Sequence, residues 1–229
     1  MTVTFETVPL NQQVANELRT AIMRGDIKDG QRLQLAELEA TFHISRTPIK
    51  EGLMMLEHEG FVQHERNKDF IVIGMSEEYI NDYYDLRKVF EAAAIKNACK
   101  HEEDLSAILS LQNSIEGTSI KTLTVDLFKD YSAKFHSELW KLSGNTRIIG
   151  FLNFLFEGPG VEMFENPFKH WEKTIKEHRA VLDAIQQGNS AKAVELNNAH
   201  QERCRSRLLK AWKDKQAREN QEEVMHGQA

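Results

Sequence analysis

The chain has 229 residues, 41% of them hydrophobic and 28% charged, with a formal net charge of −6. This apolar content suffices for one large or two small folded domains and excludes a mostly disordered protein, while the negative charge argues against indiscriminate nucleic-acid binding. No apolar run approaches the ~18–20 residues that span a bilayer. The start MTVTFETVPL has no secretory-signal pattern, and Cys99 and Cys204 form neither a disulfide framework nor a CxxC pair, so a cytoplasmic protein with no membrane partner is expected.

Residues 10–24, LNQQVANELRTAIMR, place Val14, Leu18, Ala21 and Ile22 on one face and stop at Gly25, which predicts a helix with a glycine cap. A turn at Asp29-Gly30 leads to Leu33, and a short helix follows over roughly 35–42. The segment SRTPIKEG then opens a third helix over 46–59. Ile49, Leu53 and Leu56 form its buried stripe, Ser45 is its expected N-cap, and Gly60 lies where it ends. Pro48 falls in the first turn, where no intrahelical N–H partner is lost. FVQHERNKDFIVI reads as two short strands, 61–64 and 70–73, around an Asn67-Lys68-Asp69 turn.

Helix, short helix, turn, helix and hairpin is the order of a winged helix-turn-helix, in which the start of the second motif helix meets DNA. The candidate contacts are Ser45, Arg46, Thr47 and Lys50, with Lys68 at the hairpin tip. Arg46 suits a bidentate contact to guanine or a phosphate clamp. The first 75 residues hold eight Lys/Arg against eleven Asp/Glu, so placement of a few cations must do what total charge does not.

From Ser76 onward the pattern is almost wholly helical, with breaks at 116–118, 143–145, 158–160, 166–167 and 188–190. The expected fold is mainly α: a winged helix-turn-helix over 1–75, an all-α bundle of about six helices over 76–213, and a polar tail over 214–229, either a frayed helix end or disordered. Three stripes in the bundle each carry one histidine amid apolar residues. They are Val125, Phe128, Ser132, His136, Leu139, Ser143; Trp171, Ile175, His178, Leu182, Ile185; and Ala193, Leu196, His200, Cys204, Leu208. His178 and His200 lie nearly equal distances on either side of the Gly188-Asn189 turn, about 16 Å along an antiparallel helical hairpin at 1.5 Å per residue. They can face each other. Neutral imidazoles buried together suit a divalent transition metal such as Zn²⁺ or Ni²⁺.

RTAIMRGDIKDGQRL followed by HISRTPIKEGLMMLEHEGFV and a hairpin resembles the reading head of GntR-type bacterial transcription regulators. DLRKVFEAAAIKNA, KFHSELWKLSGN and EHRAVLDAIQQGNSAKAVELNNAH resemble the FCD-type effector domain of one GntR subgroup. The resemblance implies a non-enzymatic repressor that binds a double-stranded DNA operator as a homodimer and senses a small carboxylate. It implies a metal held by His136, His178 and His200, with Ser132 where the family has an aspartate, and an effector contact at Arg87, a position where the family keeps an arginine. Within the sequence itself Arg87 equally suits a salt bridge to Glu91 one turn on. The reading head departs from the family at Lys50, Ala36 and Asp69. Two alternatives stay open: a metal-dependent enzyme with an accessory DNA-binding domain, and a regulator whose metal-free pocket is vestigial. Glu177 adjoins His178 but is expected to point to another face.

Overall fold

The computed structural model describes residues 8–65, 69–101, 104–119, 122, 124–156 and 171–226. The chain divides into two compact units, Met1–Tyr79 and Ile80–Ala229, with the division in the first turn of a long helix.

In the first unit, α1 (Leu10–Arg24) ends at Gly25, whose φ of 85° lets its N–H close onto the carbonyl of Ile22. α2 (Leu35–Phe42) ends at His43, which holds the left-handed conformation without being glycine, φ 55°. α3 (Arg46–His58) begins at Ser45, which has the extended backbone of an N-cap but makes no side-chain capping bond. Ile49, Leu53 and Leu56 are fully buried, each burial contributing about 1.5–3 kcal/mol. α3 approaches α1 so closely at Gly52 that a Cβ there would stand 2.8 Å from the Asn11 carbonyl oxygen. A buried, two-point ion pair joins the same helices, Arg19 Nη2 to Glu59 Oε1 at 2.6 Å and Nε to Oε2 at 2.7 Å.

The hairpin is β2 (Val62–His64) and β3 (Phe70–Val72). A strand not foreseen from the sequence, β1 (Arg32–Leu33), adds to its other edge, giving the antiparallel order β1-β3-β2. Two residues are too few to show a period, so β1 is legible only through its pairing, Arg32 with Ile71 and Leu33 with Phe70. The hairpin tip, 66–68, lies outside the described residues, and with it Lys68.

The second unit holds most of α4 (Glu77–His101), then α5 (Ser106–Glu116), α6 (Val125–Lys141), α7 (Thr146–Phe156), α8 (Trp171–Gln186) and α9 (Ser190–His226). Its apolar core runs through Ile95, Ile108, Phe135, Leu139, Trp140, Leu152, Leu182 and Ala193. The predicted breaks at 116–118, 143–145 and 188–190 coincide with helix ends, whereas 158–160 and 166–167 lie outside the described residues. One expectation is corrected. Val125 is exposed at the first turn of α6, while Tyr131 and Phe135 take inward positions. Of the two readings of the tail, α9 continues as helix to His226, in keeping with the helix preference of Lys, Gln, Ala, Arg and Glu.

Candidate functional site

The helix-turn-helix surface comes first. Ser45, Arg46, Thr47 and Lys50 are all exposed around the first turn of α3. Pro48 sits in that turn and Ile49 points into the core, so the helix is anchored from behind while its polar residues face outward. Arg46 is not a bare cation. Its Nε and Nη2 meet Glu39 Oε2 of α2 at 3.2 and 3.1 Å. An exposed pair of this kind contributes about 0–1 kcal/mol, so it orients the guanidinium without locking it.

The second site is built by the turn between α8 and α9. Gly188 adopts φ 67° and Asn189 Oδ1 accepts from Lys192 N–H at 3.1 Å, starting α9 antiparallel to α8. His178 and His200 consequently face each other, ring centroids 4.8 Å apart. His136, on α6, completes the cluster at 5.4 Å from His178 and 6.1 Å from His200. All three are buried, and one ligating nitrogen from each lies within 4.8 Å of the others.

Hydrogen bonds around the cluster set its tautomers. The amide of Gln112 donates through Nε2 to the Ile175 carbonyl and Glu116, both at 3.0 Å, so its Oε1 is left to accept from Tyr131 O–H at 2.7 Å. Tyr131 Oη, its one proton committed, accepts from His178 Nδ1–H at 2.8 Å. His178 Nε2 therefore carries a lone pair, and that buried atom has no hydrogen-bond partner among the described residues. His200 is oriented in the same sense, Nδ1–H donating to Glu177 Oε2 at 2.8 Å. The sequence reading of Glu177 is thus corrected: the α8–α9 interface is wide enough that Glu177, one residue from the inward His178, reaches across to α9. There Arg203 also holds it, Nε to Oε1 at 2.8 Å.

Arg87 is buried and ion-paired to Glu91, Nη2 to Oε1 at 2.7 Å, as the helical spacing allows. It also faces the cluster, with Nη2 3.5 Å from His136 Nδ1. Glu91 is fully buried, so its charge needs compensation. Trp140 Nε1, Asn197 Nδ2 and Gln201 Nε2 all donate to it, at 3.3, 2.9 and 2.5 Å. Tyr131 and Gln112 escaped the sequence reading, which had no means of pairing residues across helices; it read Glu91 only as a partner of Arg87 and turned Glu177 away from the site.

Burial, with the neighbouring cations, holds His136 and His178 well below the usual imidazole range, so both are neutral and able to ligate. Burial also pushes His200 down, but the Cys204 and Glu177 side chains outweigh it and raise the imidazole to about 9. The donor set fits a transition metal, which would displace the His200 proton: His136 and His178 are neutral, the buried lone pair of His178 Nε2 is without a partner among the described residues, and two rings are braced from behind through Nδ1. Ser132, half-buried one turn before His136, offers only a hydroxyl where a carboxylate would be a hard ligand.

The two units define a transcriptional regulator: a winged helix-turn-helix head and an all-helical effector domain. Residues 10–72 match bacterial regulatory proteins of the gntR family, and residues 82–203 match the FCD domain. The chain belongs to the gntR family and carries an FCD domain. It is 30% identical to the gluconate operon transcriptional repressor of Bacillus licheniformis over 187 residues, 76% of this chain and 74% of that protein. It is 25% identical to the transcriptional repressor NanR of Salmonella newport (strain SL254) over 218 residues, 83% of this chain and 82% of that one. Among solved structures, E. coli McbR/YncC shares the fold with a TM-score of 0.69 at 19% identity, covering 90% of this chain and 100% of that one. No helix among the described residues is long and apolar enough to cross a membrane.

Proposed function

We propose that this protein is a cytoplasmic, dimeric repressor that binds a two-fold symmetric DNA operator and releases it when a small organic acid enters the three-histidine site. The observation that carries the reading is the convergence of three buried imidazoles within 4.8 Å of one another, with the Arg87 guanidinium 3.5 Å from one of them. Imidazole nitrogens and a guanidinium fork together suit a carboxylate. His136, His178 and His200 would hold a divalent ion such as Zn²⁺ or Ni²⁺, which when bound supplies a Lewis-acidic position for a carboxylate oxygen. Arg87 neutralises the anion, and the Glu91 network keeps Arg87 in place.

Ser45, Arg46, Thr47 and Lys50 are the proposed contacts to the operator, with Lys68 at the hairpin tip. Dimerisation is supported by an exposed apolar surface on α4 and α7: Leu86 47%, Val89 66%, Phe151 57% and Phe154 52% exposed. The stacked rings of Phe90 and Phe151, 5.3 Å apart, join the two helices beneath it. A sensing rather than a catalytic site is favoured because both carboxylates beside the histidines are committed, Glu177 to Arg203 and Glu91 to Arg87. Neither is left to serve as a general base.

The test is fluorescence anisotropy on a duplex selected from a random library, repeated with gluconate, other sugar acids and di- and tricarboxylates. An acid that weakens DNA binding in the wild type, and has no effect on an Arg87→Met variant that still binds DNA, supports the reading. By linkage the DNA-bound protein must then bind that acid correspondingly less well. Tight DNA binding indifferent to every acid, with or without added Zn²⁺, would sink the sensor claim.

A further inference from the structure

Resting on the operator reading above, we infer that Met54 is a further operator contact, a specificity-determining residue that packs against a thymine methyl group in the major groove. Of the large apolar residues on α3, Ile49, Leu53 and Leu56 are buried and Met55 is half-buried, whereas Met54 is 46% exposed. Met54 follows Lys50 by one helical turn and Thr47 by two, so the three side chains share one outward stripe on the face opposite the core. It stands about 6 Å beyond Lys50 along the axis at 1.5 Å per residue, roughly two base-pair steps farther along a groove that this helix follows. The acids on either side are drawn away from it. Glu51 Oε2 accepts from Asn11 Nδ2 of α1 at 3.1 Å, and Glu57 Oε1 accepts from the His64 backbone N–H of β2 at 3.0 Å. Met54 is left between them as an apolar end on the surface that carries Thr47 and Lys50.

The chemistry of the groove names what such a side chain can recognise. The base edges there present hydrogen-bond donors and acceptors, and their one apolar group is the C5-methyl of thymine. A thioether gains little from carbonyl or amino groups, but its flexible, polarizable chain adapts to a methyl. Facing cytosine or guanine, Met54 would cover polar atoms without pairing them, which costs free energy. The stripe therefore divides its work: Lys50 meets a phosphate or a base acceptor, and Met54 selects thymine roughly two base pairs away.

The test measures binding of the full-length protein to the duplex selected from a random library, with each thymine in turn replaced by deoxyuridine, which removes the methyl and leaves every hydrogen-bonding group in place. Wild type, Met54→Ala and Met54→Gln are compared; the exposed position lets both variants fold, as circular dichroism will verify. The expected result is one thymine per half-site whose replacement weakens wild-type binding about fourfold, the size of one buried carbon group, and has no effect on either variant. If every replacement is silent in a wild type that binds the duplex, or if the variants lose as much as the wild type at the same thymine, the assignment is overturned and the operator reading stands. Variants weakened equally on thymine and uracil duplexes would also overturn it and move Met54 to a contact between protein surfaces. A wild type that selects no duplex at all would overturn the operator reading and this inference together.

Discussion

Tyr131 Oη lies 2.8 Å from His178 Nδ1 and 2.7 Å from Gln112 Oε1, so a single phenol relays the orientation of a buried amide to the tautomer of a buried imidazole. The relay leaves His178 Nε2 bare toward the cluster. Replacing Tyr131 with Phe keeps the ring in the core but removes the acceptor, freeing His178 to take the other tautomer. The variant should fold and should bind Zn²⁺ about 10–100-fold more weakly, read by competition with a chromophoric chelator. Unchanged affinity would mean that the hydroxyl does not position the ligand.

The Glu177–His200 pair gives the metal-free protein a stability window in pH. His200, raised from 6.5 to about 9, contributes fully below pH 6.5 and loses its contribution as pH rises through about 9. Burial raises Glu177, but His200 and Arg203 more than reverse this and lower it from 4.5 to about 2. Its contribution is present above pH 4.5 and fades as pH falls toward 2. The urea midpoint of chelator-treated protein should therefore be highest between pH 4.5 and 6.5 and fall on both sides. Glu177→Gln should remove the acid limb and weaken the alkaline one, which Cys204 also sustains by raising His200; identical profiles for the two proteins would contradict the pairing.

Glu39 holds Arg46 from 3.1 Å, and if Arg46 is an operator contact Glu39 would compete with DNA for the guanidinium. Glu39→Gln removes an anion from the proposed DNA face and releases the guanidinium, so affinity for the selected duplex should rise several-fold at low salt. Arg46→Ala should weaken binding by about 1–3 kcal/mol, and Lys50→Ala should reduce the salt slope by about 1 if Lys50 meets a phosphate. An unchanged affinity in all three variants would place the DNA contact elsewhere.

Gly52 is where α1 and α3 touch backbone to side-chain face. A Cβ would lie 2.8 Å from Asn11 O and 3.0 Å from Val14 Cγ1. Although alanine is the better helix former, Gly52→Ala should destabilise the helix-turn-helix unit by about 1–3 kcal/mol through overpacking. The measurement is thermal unfolding of the variant beside the wild type; a raised melting temperature would show that the helices can part.

If the α4–α7 apolar surface joins two copies, Val89→Asp with Phe151→Asp should convert dimer to monomer in sedimentation equilibrium and weaken operator binding, while helix content stays unchanged. Both side chains are more than half exposed, so the folded monomer has little to lose. A variant that remains dimeric would move the interface to another face.

Much of this architecture was already written in the order of residues. Helix boundaries followed from local events: Gly25 in the left-handed conformation, Pro48 in a first turn, Gly188 opening the α8–α9 hairpin. The facing of His178 and His200 followed from counting equal distances along two helices joined by a short turn, since helix rise is nearly constant. Tertiary structure alone decided the rest. Which helix presents Tyr131 to His178, that Glu177 spans to His200, and that Glu39 holds Arg46 are relations between elements far apart in the chain or at angles no periodicity encodes. β1 exists only because β3 offers it an edge. The long apolar stripes announce themselves because burying them requires repetition along a helix. The polar partners that tune the site do not, because each is a single residue whose place is set by the packing of others.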